Sequence, residues 1–208
     1  MKILNLYAGI GGNRKLWENV EVTAVELDLH IASIYKSLYP ADTIVVDNAH
    51  NYLIEHFEEF DFIWSSPPCP THSVTNCFLH HQGVRRYPDF TLWQEIVFLK
   101  KWFKGKFVVE NVKSYYPPLW PPIEIDRHYF WSNFYISDFK VERNFNVANA
   151  RASTRNAKHD EDLENFHKIY LPKEIKNRRI MLRNCVYPPL GLHILNESKK
   201  NIQAELFK

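Results

Sequence analysis

The chain has 208 residues, 45% hydrophobic and 24% charged, which suits one globular domain, or one domain with a small appendage, and excludes wholesale disorder. Its net charge of +2 does not by itself demand a nucleic-acid partner. No run approaches the roughly 20 apolar residues of a membrane span, the first residues lack a secretory signal pattern, and three scattered cysteines make no disulfide framework, so a reducing cytoplasm is expected.

Residues 2–7 are a short apolar run that stops at glycines, as a buried parallel strand does. Residues 13–19 read as a helix start, 21–26 as a second strand and 29–38 as a helix. Residues 42–46, rich in β-branched side chains, read as a third strand. A short helix over 54–57 and a fourth strand over 60–64 lead into Ser65-Ser66-Pro67-Pro68. Residues 70–88 read as a polar loop. Asp89 can then cap a helix whose apolar face is Leu92, Trp93, Ile96, Val97, Leu99, Trp102 and Phe103. Residues 106–109 are a fifth strand, 115–122 hold four prolines and no regular element, and 128–136 are an aromatic strand. From 140 to 183 the pattern is lost, and eleven Lys and Arg face six Asp and Glu. That stretch is either a run of solvated loops or a phosphate-contacting surface. Residues 188–208 are helical. This alternation predicts an α/β domain with a mostly parallel sheet, whose ligands bind at the carboxyl ends of the strands.

Those strand ends carry the chemistry. The first runs into Tyr7-Ala8-Gly9-Ile10-Gly11-Gly12, a glycine loop that either lets backbone N–H groups approach a ligand or is a plain tight turn. It lacks the Gly-Lys-Ser/Thr of a P-loop. The second ends in Glu26-Leu27-Asp28, where a carboxylate can accept ribose hydroxyls or sit exposed at a helix start. The third ends in Asp47-Asn48, which can reach a base or cap a helix. The fourth ends in Pro67-Pro68-Cys69-Pro70, a rigidly held and partly exposed cysteine whose nucleophilicity requires dipoles or cations to lower its pKa. The fifth ends in Glu110-Asn111-Val112, facing the same crevice. An alternative reading has Cys69, His72, Cys77 and His80 ligate zinc, although the ligand pairs lack the usual longer separation.

In one frame these segments resemble the DNA (cytosine-5)-methyltransferase family. Tyr7-Ala8-Gly9-Ile10-Gly11-Gly12 resembles its first cofactor motif, Glu26 and Asp47 the acids of the second and third, and Pro68-Cys69 followed by Ser73 its Pro-Cys-x-x-x-Ser motif. Thr91-Leu92, Glu110-Asn111-Val112 and Asn184-Cys185-Val186 resemble three further motifs, in the family's order. The resemblance implies a Rossmann-like S-adenosylmethionine-dependent methyltransferase fold, with helices on both faces of the sheet and a small target-recognition appendage. The catalytic domain would be 1–136 plus 181–208, and 137–180 the reduced recognition region.

The same resemblance implies that Cys69 adds to C6 of a flipped-out cytosine in DNA, that Glu110 holds N3 and the exocyclic amine, and that Arg127 contacts the base. Tyr7, Ala8, Gly9, Gly11, Gly12, Glu26, Leu27, Asp47, Asn48, Pro68, Asn184 and Cys185 would line the S-adenosylmethionine site. Ser73, Arg85, Arg86, Arg151 and Arg155 would contact DNA. Ile125 replaces an arginine of the family's Gln-x-Arg-x-Arg motif, Leu27 stands where an aromatic ring often stacks on adenine, and Arg183-Asn184-Cys185 replaces Gly-Asn-Ser. A recognition region of about 45 residues implies a short target sequence or a partner that supplies specificity.

Three rivals compete. An amino-methyltransferase would carry an aromatic residue where Cys69 stands, and would leave Glu110 without a role. An RNA methyltransferase would keep the chemistry and change the substrate. A non-catalytic DNA-binding homologue would not need Cys69, Glu110 and Arg127 together. A role in restriction–modification, or in a virus evading it, is fold-level analogy alone.

Overall fold

The computed structural model describes residues 1–142 and 157–200, apart from the side chains of 157–159. Seven strands form one sheet: β1 (Lys2–Leu6), β2 (Glu21–Val25), β3 (Thr43–Val45), β4 (Phe62–Ser65), β5 (Lys106–Val112), β6 (Ile123–Ile125) and β7 (His128–Ser132). Their spatial order is β3-β2-β1-β4-β5-β7-β6. The first five are mutually parallel, and β7 runs antiparallel to both β5 and β6.

Alternation along the strands divides the core into two layers, because successive side chains of a strand point to opposite faces. Ile3, Val22, Phe62, Trp64, Val108 and Phe130 meet Trp17 and the apolar stripe of α7 (Pro188–Lys199), namely Leu190, Ile194 and Leu195. Leu4, Leu6, Val25, Ile63, Phe107 and Val109 meet α2 (Ala49–His56) through Leu53 and α4 (Thr91–Trp102) through Leu92, Ile96 and Leu99. Both faces are thus covered, as parallel sheets require. Chain order reverses between β1 and β4, the position where sheets of this kind hold ligands.

α1 (Leu29–Leu38) starts on Asp28, whose side chain accepts from the N–H groups of His30 and Ile31. Behind it, Ile10 and Ile34 pack with Leu163 of α5 (Ala157–His167), with Ile169 and Leu171, and with Met181 and Leu182 of α6 (Arg178–Asn184). A short α3 (Asn76–His81) completes the elements used below.

Several local expectations change. Residues 13–19 form turns rather than a helix. Asn13 is drawn inward by paired amide hydrogen bonds with Asn5, and Arg14 pairs with Asp42 and donates to the Trp17 carbonyl. The fifth strand runs on through Val112, because Glu110, Asn111 and Val112 pair with Phe130, Tyr129 and His128. The aromatic strand ends at Ser132. On α4 the side chains of Val97 and Trp102 are 48% and 60% exposed, so they lie outside its core face. Glu95, one helical step from Leu92, is completely buried instead. The stretch 140–183 is not all loop: it contains α5 and most of α6. Its charges are partly internal, since Arg178 pairs with Asp160 and Glu164, and Arg179 with Asp160.

Candidate active site

A cavity of about 1850 Å³ opens across the carboxyl ends of β1, β2, β4 and β5. At one end lies the glycine loop. Gly9 has φ +54°, and a Cβ placed there would meet nothing within 4 Å, so backbone borders open space. Its N–H donates to Glu26 Oε2 at 2.9 Å, while Glu26 Oε1 accepts from the Asp28 N–H at 2.9 Å. A carboxylate offers about four lone-pair positions, so each oxygen keeps room for a further donor. Leu27, 68% exposed, and Asn48 border this end. Gly12 is required for a different reason. A Cβ there would lie 2.7 Å from Cys185 Cβ and from the Val186 carbonyl, so the glycine lets the segment after α6 cross the loop.

Beneath the loop sits a network that the sequence reading missed. Tyr7, at φ +54°, donates its hydroxyl to Glu95 Oε1 at 2.5 Å. Ser65 donates to Glu95 Oε2 at 2.6 Å, and His50 Nδ1 lies 3.1 Å from Oε1. The hydrogen bond to Glu95 raises the His50 pKa. The available signal was an acid set among Leu92, Ile96 and Leu99 on one helix face, a position that demands partners.

At the other end, Cys69 follows β4 in a loop fixed by its neighbours. Asn111 Nδ2 donates to the Pro67 carbonyl at 3.0 Å, and Asn76 Nδ2 to the Pro70 carbonyl at 2.8 Å. The N–H groups of His72 and Ser73 both donate to the Cys69 carbonyl. Burial and the carboxyl of Glu110 push the Cys69 thiol upward, and outweigh Arg127, Arg183 and the cysteine's own backbone N–H, which act downward. The cations expected to activate the thiol are therefore present, and in this state they lose to desolvation. Glu110, on β5, is raised to about 7 by burial, against a hydrogen bond from Ser66 and the charge of Arg127. Arg127 occupies the turn between β6 and β7 and donates from Nη2 to the Arg183 carbonyl at 2.7 Å.

The cavity lining therefore gathers Cys69, Glu110 and Arg127, together with Tyr7, Ala8, Gly9, Gly12, Glu26, Leu27, Asn48, Pro68, Asn184, Cys185 and Ser73. It leaves out Gly11 and Asp47. A Cβ on Gly11 would collide with the rings of Tyr35 and Tyr39, which makes it a packing glycine. Asp47 is exposed, and its carboxylate accepts from the Asn48 N–H at 2.6 Å. Arg85 and Arg86 border a separate hollow of about 310 Å³ with His80, Tyr87 and Tyr115. Arg151 and Arg155 lie outside the described residues. Ile125 is 4% exposed and belongs to the core, so its position offers no surface from which a longer basic side chain could reach a ligand. Cys185 is a buried thiol pushed up to about 12. The alternative zinc site is not formed: His72 is turned onto the Tyr116 hydroxyl at 2.6 Å, and no metal-holding group of His, Cys, Asp or Glu occurs among the described residues. Also among the described residues, no helix is long and apolar enough to cross a membrane.

The family model for C-5 cytosine-specific DNA methylase matches residues 1–116, more than half of the chain. The chain belongs to this family. No curated protein matches it. Among solved structures it is similar to a mutant of DNMT2 from Spodoptera frugiperda, 26% identical over 55% of this chain and 36% of that one, with a TM-score of 0.38. It is also similar to a putative DNA modification methyltransferase encoded within an E. coli prophage (20% identity, 56% and 33% coverage, TM-score 0.37). A third similarity is to the methyltransferase EhMeth of Entamoeba histolytica (12% identity, 98% and 88% coverage, TM-score 0.44). The matches to the first two span about a third of those chains.

The sheet order and its antiparallel β7 are those of a methyltransferase fold, as the C-5 methylase resemblance implied. A methyltransferase of this family implies S-adenosylmethionine. The residues present suit it: the open space at Gly9 admits a ligand against backbone, and Glu26 retains acceptor positions for a diol.

Proposed function

We propose that this methylase acts on C5 of cytosine in DNA, with the target base turned out of the helix into the cavity. The observation that carries the reading is the convergence of Cys69, Glu110 and Arg127 at one end of a cavity whose other end presents the glycine loop and Glu26. A base inside a duplex cannot reach so recessed a thiol, and extrusion resolves this.

In this reading Gly9, Glu26, Leu27 and Asn48 hold the adenosine part of S-adenosylmethionine, with Gly12 and the 184–186 segment near its methionine part. When bound, the cofactor would supply an electrophilic methyl group. Cys69 attacks C6 as the thiolate, after its proton has passed to solvent, and the Sγ–C6 bond forms. Electron density from the C5–C6 double bond moves into the ring towards N3. Glu110, a neutral acid near pH 7 or below, offers its proton there and so stabilises the charge that develops. Arg127 offsets the same charge from the β6–β7 turn. Protonation of Glu110 also removes a negative charge that opposes ionisation of Cys69, so the two groups assist each other. Once C5 carries the methyl group, its proton leaves to solvent, that C–H electron pair re-forms the C5–C6 double bond as the Sγ–C6 bond breaks, and the N3 proton returns to Glu110.

The experiment presents purified protein and methyl-labelled S-adenosylmethionine with duplex DNA, single-stranded DNA and transfer RNA in parallel, with Cys69→Ala as control. Label recovered as 5-methylcytosine in DNA and absent from the control is the expected result. Label in RNA alone would replace DNA by RNA as substrate. No transfer despite cofactor binding would point to an absent specificity partner or a binding role.

A further inference from the structure

One group in the cavity has no part in the reaction as written. His128 opens β7, opposite Val112 of β5, while Glu110 lies opposite Phe130. Glu110 and His128 are therefore diagonal neighbours on one face of an antiparallel pair, close enough for their side chains to interact. His128 Nε2 lies 3.6 Å from Glu110 Oε1, and both side chains are buried. His128 Nδ1 is buried without a hydrogen-bond partner among the described residues. Leaving a polar nitrogen unmet in the interior costs free energy, and such a cost at the edge of a reactive cavity calls for a reason.

We infer that His128 is a positioning residue for Glu110: its Nε2–H engages Oε1, which leaves Oε2 to carry the proton offered to the substrate ring. The inference rests on the proposed function. Oε1 has a second lone pair, which can accept from the exocyclic amine of a cytosine. The 3.6 Å separation is longer than a hydrogen bond, and contacts of this kind tighten in the substrate complex.

Burial favours the neutral form of both partners. It raises Glu110 to about 7 and lowers His128 to about 3, the latter with help from Arg127 and His167. The other groups facing the pair are Ser66, which donates to Glu110, and Cys69 and Arg183 on the cavity wall. The pairing therefore needs no charged imidazole, only an N–H held beside one carboxyl oxygen.

The test starts with the protein alone. The carboxylic acid C=O band of Glu110, assigned by its loss in Glu110→Gln, is followed against pH by infrared difference spectroscopy. In wild type it should titrate near 7. His128→Leu removes the donor that favours the carboxylate, so the midpoint should rise by about half a unit or more. His128→Gln, whose amide N–H can take the place of Nε2–H, should stay near wild type. In methyl-transfer assays, His128→Leu should lose about tenfold in kcat with the KM for S-adenosylmethionine unchanged, and the alkaline limb of its pH profile should follow the infrared midpoint. His128→Gln should recover most of the rate.

Midpoints and pH profiles identical in wild type and His128→Leu would overturn the inference, whatever the loss in melting temperature, and leave His128 a packing residue. Methyl transfer to RNA alone would overturn the proposed DNA substrate. The infrared titration would still decide the pairing.

Discussion

Around Gly9 and Glu26, the cavity is made of backbone N–H groups and one carboxylate near solvent, whereas around Cys69 and Glu110 it is made of ionisable side chains taken out of water. The first end offers shape and hydrogen-bonding groups that any folded strand-to-helix loop can supply. The second has Glu110 raised to about 7, His128 lowered to about 3, and Cys69 raised against two nearby arginines. Buried groups with displaced pKa values are costly for stability and useful for proton transfer. The Cys69 end is held by tertiary structure: the β5–β7 pairing sets Glu110 and His128, while Asn111 and Asn76 tie down the loop carrying Cys69.

The sharpest way to separate the two ends is Cys69→Ala. Methyl transfer should fall by about 10⁴-fold or more, since removal of a covalent nucleophile abolishes the two-step path. Cofactor affinity, measured by calorimetry, should hardly change. A comparable loss of cofactor binding would show that the two ends are not independent.

Ile125→Arg restores the residue type that the family's arginine motif has at this position and should still not help. It buries an unpaired charge in the core and should cost about 3–5 kcal/mol in urea unfolding. A stable, more active variant would mean that the β6 edge opens to the substrate.

Glu110→Gln should separate stability from activity at the reactive end. Glu110 ionises near its ordinary value of 4.5 in the unfolded chain and near 7 in the folded protein. Between those values the unfolded chain holds fewer protons than the native state, so stability falls as pH rises, and the loss is complete above about 7. At pH 8 the glutamine variant should be more stable than wild type by roughly 3 kcal/mol, and at pH 5 by under about 1 kcal/mol, while methylation is lost. An unchanged stability difference across that range would remove the raised pKa from the account.

The smallest effect belongs to the exposed end. Leu27→Trp adds an aromatic face at the cavity border, and should tighten S-adenosylmethionine about three- to tenfold, the equivalent of about 1 kcal/mol. Equal affinity would show that this side chain does not reach the bound adenine.

Much of this was legible locally. Five parallel strands, the helix over Leu29–Leu38, the glycine loop and the strand-end residues Glu26, Cys69 and Glu110 follow from apolar runs that stop at polar or glycine-rich ends. The α5 segment shows no clear apolar periodicity in the sequence, which leaves solvated loops or a phosphate-contacting surface open, and its helix is buried by Leu163 docking on Ile10 and Ile34, a contact invisible in a short window. Val97 and Trp102 fit an apolar helix stripe in the sequence yet lie outside the core face, because only packing decides which part of a stripe meets the sheet.

By itself, then, the sequence determined which chemical groups this methylase has and on which strand ends they sit, because strand period and turn residues act within a few residues. Tertiary structure alone decided which of those groups share one cavity and in what protonation state. Gly11 became packing and Asp47 surface, while Glu95 became the acceptor of Tyr7, Ser65 and His50. His128 came beside Glu110 through the register of two antiparallel strands. Desolvation and long-range pairing set these outcomes, and both depend on neighbours distant in the chain.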